Sequence, residues 1–287
     1  MPRGLDHVVH AVRDLDAAAQ LYQRLGFTVG TRNRHPWGTH NRIVQMPGFF
    51  IELLTVAEPD RLGSDPFSAL FGTFNRVFLT HHEGFSFVVV ESADATADAR
   101  AFREAGIGIS DVQSFEREAR RPDGSIVKVA FSLAFARDGR APEIGFAACQ
   151  QHYPENFWNP AFQTHANTAT GVVGLVLVAE NPADHHIFLS AFVGERELAA
   201  TSSGLTVRTR RGEIQVMDPV AFRHHYDVDP PEVEASARIA ALRLRVGNER
   251  AAAAVLAAGG IPAGSRAGRL VVGPDIAMGA TLVFEAN

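Results

Sequence analysis

Residues 4–25, GLDHVVHAVRDLDAAAQLYQRL, set the main constraint on this chain, because their pattern recurs three times further along. About eight alternating residues run into a short acidic or polar turn, and an amphipathic stretch that stops at glycine follows. The first part has the period of a strand and the second that of a helix. The pattern returns in GFSFVVVESADATADARAFREAG from Gly84, GVVGLVLVAENPADHHIFLSAFVG from Gly171 and RIAALRLRVGNERAAAAVLAAGG from Arg238. The strand-ending valines Val12, Val90, Val178 and Val246 therefore divide the chain at intervals of about a quarter of its length.

In the first copy, alternation puts Asp6, Val8, His10 and Val12 on one strand face and His7, Val9 and Ala11 on the other. Asp14 stands at the helix N-cap, and Ala18, Leu21, Tyr22 and Leu25 form a stripe before Gly26 ends the helix. That stripe covers only one face of a sheet. His7 is then directed at a second core or a pocket.

Each helix is followed by strand-like, turn-punctuated sequence. In the first copy residues 27–31, 42–46 and 49–56 read as strands, with a loop at 33–41 and a Pro47-Gly48 turn. The second offers 114–120, a Pro122-Asp123-Gly124 turn, 126–136 and 144–150. The third offers 197–201, 205–209, an Arg211-Gly212 turn and 213–217, and the fourth 270–272 and 280–285. Each unit reads βαβββ, so the expected fold is α+β, built from four tandem modules. A sheet covered by a helix on one side has one bare apolar face, so the modules are expected to pair. Residues 1–160 form one paired domain in this reading and 161–287 the other. The aromatic stretch 153–170 would pack against both.

Tandem βαβββ units opened by DHVVHAVRDLDAAAQLYQRLGF resemble the vicinal oxygen chelate superfamily, the glyoxalase, extradiol dioxygenase and bleomycin-resistance group. The combination of LDHVVHAVRDL, HPWGTHNRIV, FFIELL and RRPDGS is similar to the glyoxalase-like domain family within it, over roughly the first 160 residues. The resemblance implies metal ligands on the first and last strands of a module. His7 matches the first position and Glu52 the second. In the partner module Phe85 replaces the histidine, and the carboxylate position falls on Cys149 or, one residue on, Gln150. The second register would add Gln150 and His152 to His7 and Glu52 as ligands of a divalent zinc, iron, manganese or nickel ion; the first would offer a thiolate.

The remaining polar residues divide by face. Glu52, between Ile51 and Leu53, needs a partner if buried and is the first catalytic candidate. His40 and Asn41 could reach over the pocket mouth, His40 as a second catalytic group, with His35 a weaker candidate. His10 faces the helix and reads as a core histidine, and His81 and His82 as solvated turn residues. His152 and His165 flank the aromatic crossover. In the second half, Leu175, Leu177, Arg243 and Arg245 occupy the uncovered face beside Gln215 and Glu285, which reads as an internal ion pair or an anion contact in a structural half.

Composition narrows the classes. A net charge of -5 and a pI near 6.2 give no reason to expect nucleic acid. Cys149 is the single cysteine, which fits a reducing compartment, and no apolar run approaches the roughly 18 residues of a membrane span. The expected setting is cytoplasmic, with a small-molecule substrate as partner and a homodimer left open. There is no GxSxG elbow, GxxxxGK[ST] loop or HExxH helix. Two functions follow from the resemblance. One is a metal-dependent lyase, isomerase or dioxygenase on a small oxygenated substrate. The other is a metal-free binding protein of the bleomycin-resistance type, using Phe50, Phe85, Phe87, Trp37 and Trp158 as its aromatic lining.

Overall fold

The computed structural model describes the chain apart from residues 1, 64, 121–123, 234–235 and 287. In order, the first part contains β1 (Leu5–Ala11), α1 (Leu15–Arg24), β2 (Asn33–Arg34), β3 (Thr39–Met46), β4 (Phe49–Val56) and α2 (Thr73–His81). Then come β5 (Gly84–Glu91), α3 (Ala95–Glu104), β6 (Gln113–Arg120), β7 (Ile126–Ala136), β8 (Gly145–Gln151) and α4 (Pro154–Phe157). The second part contains β9 (Ala169–Ala179), α5 (His186–Val193), β10 (Leu198–Thr201), β11 (Gly204–Arg208), β12 (Glu213–Met217) and α6 (Pro219–Tyr226). It closes with β13 (Ala237–Val246), α7 (Glu249–Ala258), β14 (Gly264–Arg266), β15 (Arg269–Val272) and β16 (Thr281–Glu285).

The strands join into one mixed sheet, and the fold is α+β. β1, β5, β9 and β13 each lead into a helix and pair in parallel with a later strand, β4, β8, β12 and β16 respectively. Their antiparallel neighbours across the centre are β1 with β5 and β9 with β13. Among the described residues a single bridge, between Ile239 and Phe85, links the two halves of the sheet.

Local chemistry explains the helix starts. The carboxylate of Asp14 accepts from the Asp16 and Ala17 amides, Asp94 caps α3 through Ala97, and Asn248 caps α7 through Ala251. The helix-facing core gathers Val8, Leu21, Tyr22, Val88 and Phe102 with apolar residues of the second half. His10 is fully buried there. It accepts from the Tyr22 hydroxyl at Nδ1 (2.9 Å) and donates from Nε2 to the Met278 carbonyl (3.0 Å), and burial pushes it down to about 4, so it is neutral.

Three expectations need correction. Residues 27–31 form no strand; Phe27 packs instead against the His165 and Phe284 rings, and the first strand after α1 is β2. Asp6 does not sit opposite His7. The β1–β5 register shifts between Leu5 and His7, a bulge that turns Asp6 and His7 to the same side. Finally, α2 and α6 cover inner faces that the alternating pattern left bare. Phe67, Phe71, Phe74 and Phe78 recur at helical spacing around a π-helical turn at Ser68–Gly72. Asn75 ties α2 down, donating to the Phe71 carbonyl and accepting from the Ser86 hydroxyl of β5 (2.7 Å). In the second half, Phe222 and Tyr226 of α6 fill the corresponding space against Val176 and Val178. The Pro122-Asp123 part of the expected hairpin turn lies outside the described residues.

The crossover after β8 is bound to its surroundings. Gln45 donates to the Phe157 carbonyl and accepts from the Asn159 amide. His165 accepts from the Thr28 amide at Nδ1 and donates from Nε2 to the Gln45 carbonyl. No helix among the described residues is long and apolar enough to cross a membrane.

Candidate active site

The inner faces of β1, β3, β4, β6, β7 and β8, closed by the π-helical turn, surround a cavity of about 60 Å³ open to a water-sized sphere. Its walls are aromatic. Trp37, Phe50, Phe67, Phe115, Phe131 and Phe157 face it, and each ring packs on at least one other. Its polar groups are few: His7, His35, Asn41, Glu52, Arg117 and Cys149.

His7 is held on two sides. Its ring stacks on Phe50 at 4.2 Å, and its Nδ1 donates to Asp6 Oδ2 at 2.6 Å. The other Asp6 oxygen accepts from the Gln151 amide (3.0 Å). With the proton fixed on Nδ1, Nε2 is the free lone pair. The bulge that brings Asp6 round is therefore what orients the imidazole.

Glu52 lies on β4, two residues beyond the pairing partner of His7. Its Oε1 accepts from Asn41 Nδ2 at 2.5 Å, and Oε2 has no hydrogen-bond partner among the described residues. Asn41 is fixed in turn by Asn33, which donates to its Oδ1 (2.9 Å), and it also donates to His35 Nε2 (3.3 Å). His35 donates from Nδ1 to the Thr39 hydroxyl and stacks on Trp37 at 4.7 Å; burial pushes it down to about 3 and keeps it neutral. Burial raises the Glu52 carboxyl above its ordinary value, against the opposing pull of His7, the Asn41 bond and Arg117.

This shift predicts a stability difference. The folded Glu52 keeps its proton to a higher pH than the unfolded chain, so its ionisation penalises the fold as pH rises past the ordinary carboxylate range. Below that range the group is neutral in both states and contributes nothing. Glu52→Gln keeps an oxygen for Asn41 and is expected to be more stable than wild type at about pH 8, with the gap closing near pH 4. Urea unfolding at the two pH values measures it, and a gap that does not change with pH would assign Glu52 an ordinary ionisation.

The other expected site residues lie elsewhere. Strand alternation turns His40 away from the cavity and Asn41 into it. His40 donates from Nε2 to Glu58 (3.1 Å) and accepts from Arg32. Gln150 accepts from the Ala95 amide at the start of α3, outside the cavity. His152 bonds the Ser132 hydroxyl at 2.7 Å in a separate surface cleft. Cys149 is the β8 residue that lines the cavity, and burial holds its thiol well above its ordinary value, protonated. Of the expected aromatic lining, Phe50 and Trp37 face the cavity. Phe85 packs in the helix-side core, Phe87 faces a neighbouring groove and Trp158 sits behind Phe50. Alternation on β6 brings in Phe115 and Arg117, which the sequence reading passed over.

The donors present do not make up the expected metal centre. His7 Nε2 and Glu52 Oε2 are free, but His35 Nε2 accepts a hydrogen bond from Asn41. Among the described residues no group of three or more His, Cys, Asp or Glu side chains converges to hold an ion. Three protein donors are usual where a catalytic zinc is retained.

The sequence matches the glyoxalase-like domain family model over residues 5–193. No curated protein matches it significantly. Among solved structures, a hypothetical protein from Staphylococcus aureus superposes with a TM-score of 0.69 at 12% identity, covering 99% of this chain and 100% of that one. A xylose isomerase-like TIM barrel/4-hydroxyphenylpyruvate dioxygenase fusion protein gives 0.56 at 13% identity, with 100% of this chain matching about half, 49%, of that one. A mutant of 4-hydroxymandelate synthase from Streptomyces coelicolor gives 0.54 at 11% identity, covering 91% and 76%. At these identities the likeness is one of fold.

Proposed function

This chain belongs to the glyoxalase-like domain family, and from that premise we propose that it is an enzyme moving a proton on a small oxygenated substrate held in the aromatic cavity. The observation that carries the reading is the convergence of an imidazole and a carboxyl on one enclosed, apolar-walled space. His7 has its proton fixed toward Asp6 and a free Nε2. Glu52 has one oxygen fixed by Asn41, the other free, and a raised affinity for its proton. An imidazole with a free lone pair beside a carboxyl that holds its proton is the pairing that acid–base chemistry needs.

In the proposed step, His7 Nε2 takes the proton from a carbon next to the substrate's carbonyl. The C–H electron pair moves into a new C=C bond, the carbonyl π pair moves onto oxygen, and Glu52 delivers its proton there to give the enol. Where that carbon carries a hydroxyl the product is an enediol: Glu52, now a carboxylate, takes the proton of that hydroxyl, its O–H pair forms the new C=O, and the C=C pair takes the proton of the His7 imidazolium at the former carbonyl carbon, which completes an isomerisation. Asp6 stabilises the imidazolium while it lasts, and the stacked Phe50 keeps the ring in plane. In this proposal the chain is four modules paired into two domains that divide near residue 160, with the chemistry in the first and the second as support.

A screen of small carbonyl, thiohemiacetal and catechol compounds tests the reading, followed by turnover and by exchange of substrate hydrogen with deuterated water. Turnover or exchange in wild type that Glu52→Gln and His7→Ala abolish is the expected result. Tight binding of an aromatic compound with no exchange would favour the second reading, a sequestering protein, for which the aromatic walls also argue.

The same assignment bears on metal. With two free donors, wild type dialysed against metal-free buffer is expected to keep less than about one ion in ten chains, and His7→Ala the same. Metal analysis on both decides this. About one zinc, iron, manganese or nickel ion per wild-type chain, absent from His7→Ala, would restore a metal-dependent lyase, isomerase or dioxygenase with His7 and Glu52 as ligands.

A further inference from the structure

Among the described residues, the arginines that are buried or half-buried are otherwise matched with acids. Arg3 pairs with Asp98, Arg42 with Asp16, Arg211 with Glu91, Arg238 with Glu143 and Arg269 with Glu285. Arg117 differs. It is half-buried on the inward face of β6, and its guanidinium has no carboxylate within 4.0 Å among the described residues. Among the described residues its guanidinium has one hydrogen bond, at 3.4 Å, to the carbonyl of the adjacent Glu118.

Its position is specific. Phe115 and Arg117 alternate into the cup, while Glu116 and Glu118 alternate out to solvent, where Glu116 pairs with Lys128. Across the hairpin Arg117 faces Val129, and Phe115 faces Phe131, so the cation is set into an apolar row. Arg117 borders both the cavity and the groove outside it. It thus stands between that outer groove and the cavity that holds His7 and Glu52. A partly desolvated guanidinium with no partner is costly unless something supplies the missing charge. Burial pulls Arg117 down from its ordinary value, and Glu52 opposes that. The planar donor fork fits a carboxylate in two-point fashion, while the aromatic walls suit a flat ring.

Resting on the function proposed above, we infer that the substrate class is small aromatic carboxylates, with the ring between the phenylalanines and the carboxylate on Arg117. Arg117 is then the specificity-determining residue. It leaves His7 and Glu52 to act on the part of the molecule further in.

The test needs no knowledge of the natural substrate. Benzoate and phenylacetate are compared with the uncharged benzamide and phenylacetamide, of nearly the same shape, by calorimetric titration and by quenching of tryptophan fluorescence, since Trp37 is in the wall. Wild type is expected to bind the acids at least about tenfold more tightly than the amides. Arg117→Met should erase that preference, weakening the acids about tenfold and the amides less than about twofold. Arg117→Lys, which keeps charge but not the fork, should retain part of it. His7→Ala should leave the preference intact, so loss of proton transfer and loss of anion recognition are read separately. Equal binding of acids and amides by wild type, no binding of either, or a preference that survives in Arg117→Met would each overturn the assignment, the first two without relying on a variant that must fold.

Discussion

Replacing His7 with alanine is expected to lower turnover of any substrate found by about 10²- to 10⁴-fold, the usual contribution of a positioned acid or base, with far less effect on binding. The expectation follows from placement. His7 Nε2 is the free imidazole nitrogen of the cavity, because His35 has both nitrogens engaged. Asp6→Asn provides the sharper control. An amide nitrogen in place of Oδ2 would donate toward the ring, shift the proton to Nε2 and turn the lone pair away from the cavity, so it should cost activity comparably while leaving the imidazole in place. The measurement is kcat and KM for wild type, His7→Ala and Asp6→Asn, at unfolding midpoints matched by circular dichroism. A His7→Ala protein with unchanged kcat would remove the imidazole from the chemistry, whatever its effect on binding.

How far this site could be read from sequence depends on which face each residue takes. His7 and Glu52 follow plain alternation on β1 and β4, and the helix stripe of α1 marks which face is left open, so their common direction was legible. Asp6 was not, because a bulge adds one residue to β1 without any glycine or proline to announce it. His40 and Asn41 exchange roles on a single residue of register, set by where β3 starts after the Pro36-Trp37-Gly38 turn. Cys149, Gln150 and His152 show the same sensitivity at the end of β8. Both registers were open, and Cys149 proves to be the inward residue. The phenylalanines of residues 67–78 lie between repeats, so their helical spacing stands outside the pattern that organises the rest of the chain. Arg117 was hidden by its neighbours. In QSFEREAR it looks like one charge among several, and only the alternation of Phe115 with Glu116 tells that the arginine faces inward.

The second largest effect is expected far from the cavity, at Arg243. This guanidinium donates to Glu285 from Nε (3.1 Å) and Nη2 (2.8 Å), and from Nη1 to Glu213 (2.5 Å) and Gln215 (3.1 Å). Since Glu213 and Gln215 belong to β12 and Glu285 to β16, one side chain on β13 ties together the last strands of both units in the second half. Burial alone would pull Arg243 down, yet Glu285, Tyr226 and Glu213 hold it above its ordinary value. Removing it strands Glu285, which is 8% exposed, with Arg269 as its remaining partner, and leaves Glu213 uncompensated. Arg243→Met is therefore expected to cost about 3–5 kcal/mol, seen as a Tm lower by roughly 10 °C. The cost comes from abandoned charge, not from lost packing, and a rescue separates the two. Adding Glu285→Met and Glu213→Gln to Arg243→Met should recover most of the loss, because a set of neutral side chains has no charge to desolvate. Catalysis by the folded fraction should be unchanged throughout, since none of these residues lines the cavity. A loss under about 1 kcal/mol, or a triple variant no better than Arg243→Met alone, would show that this network does not hold the second half together.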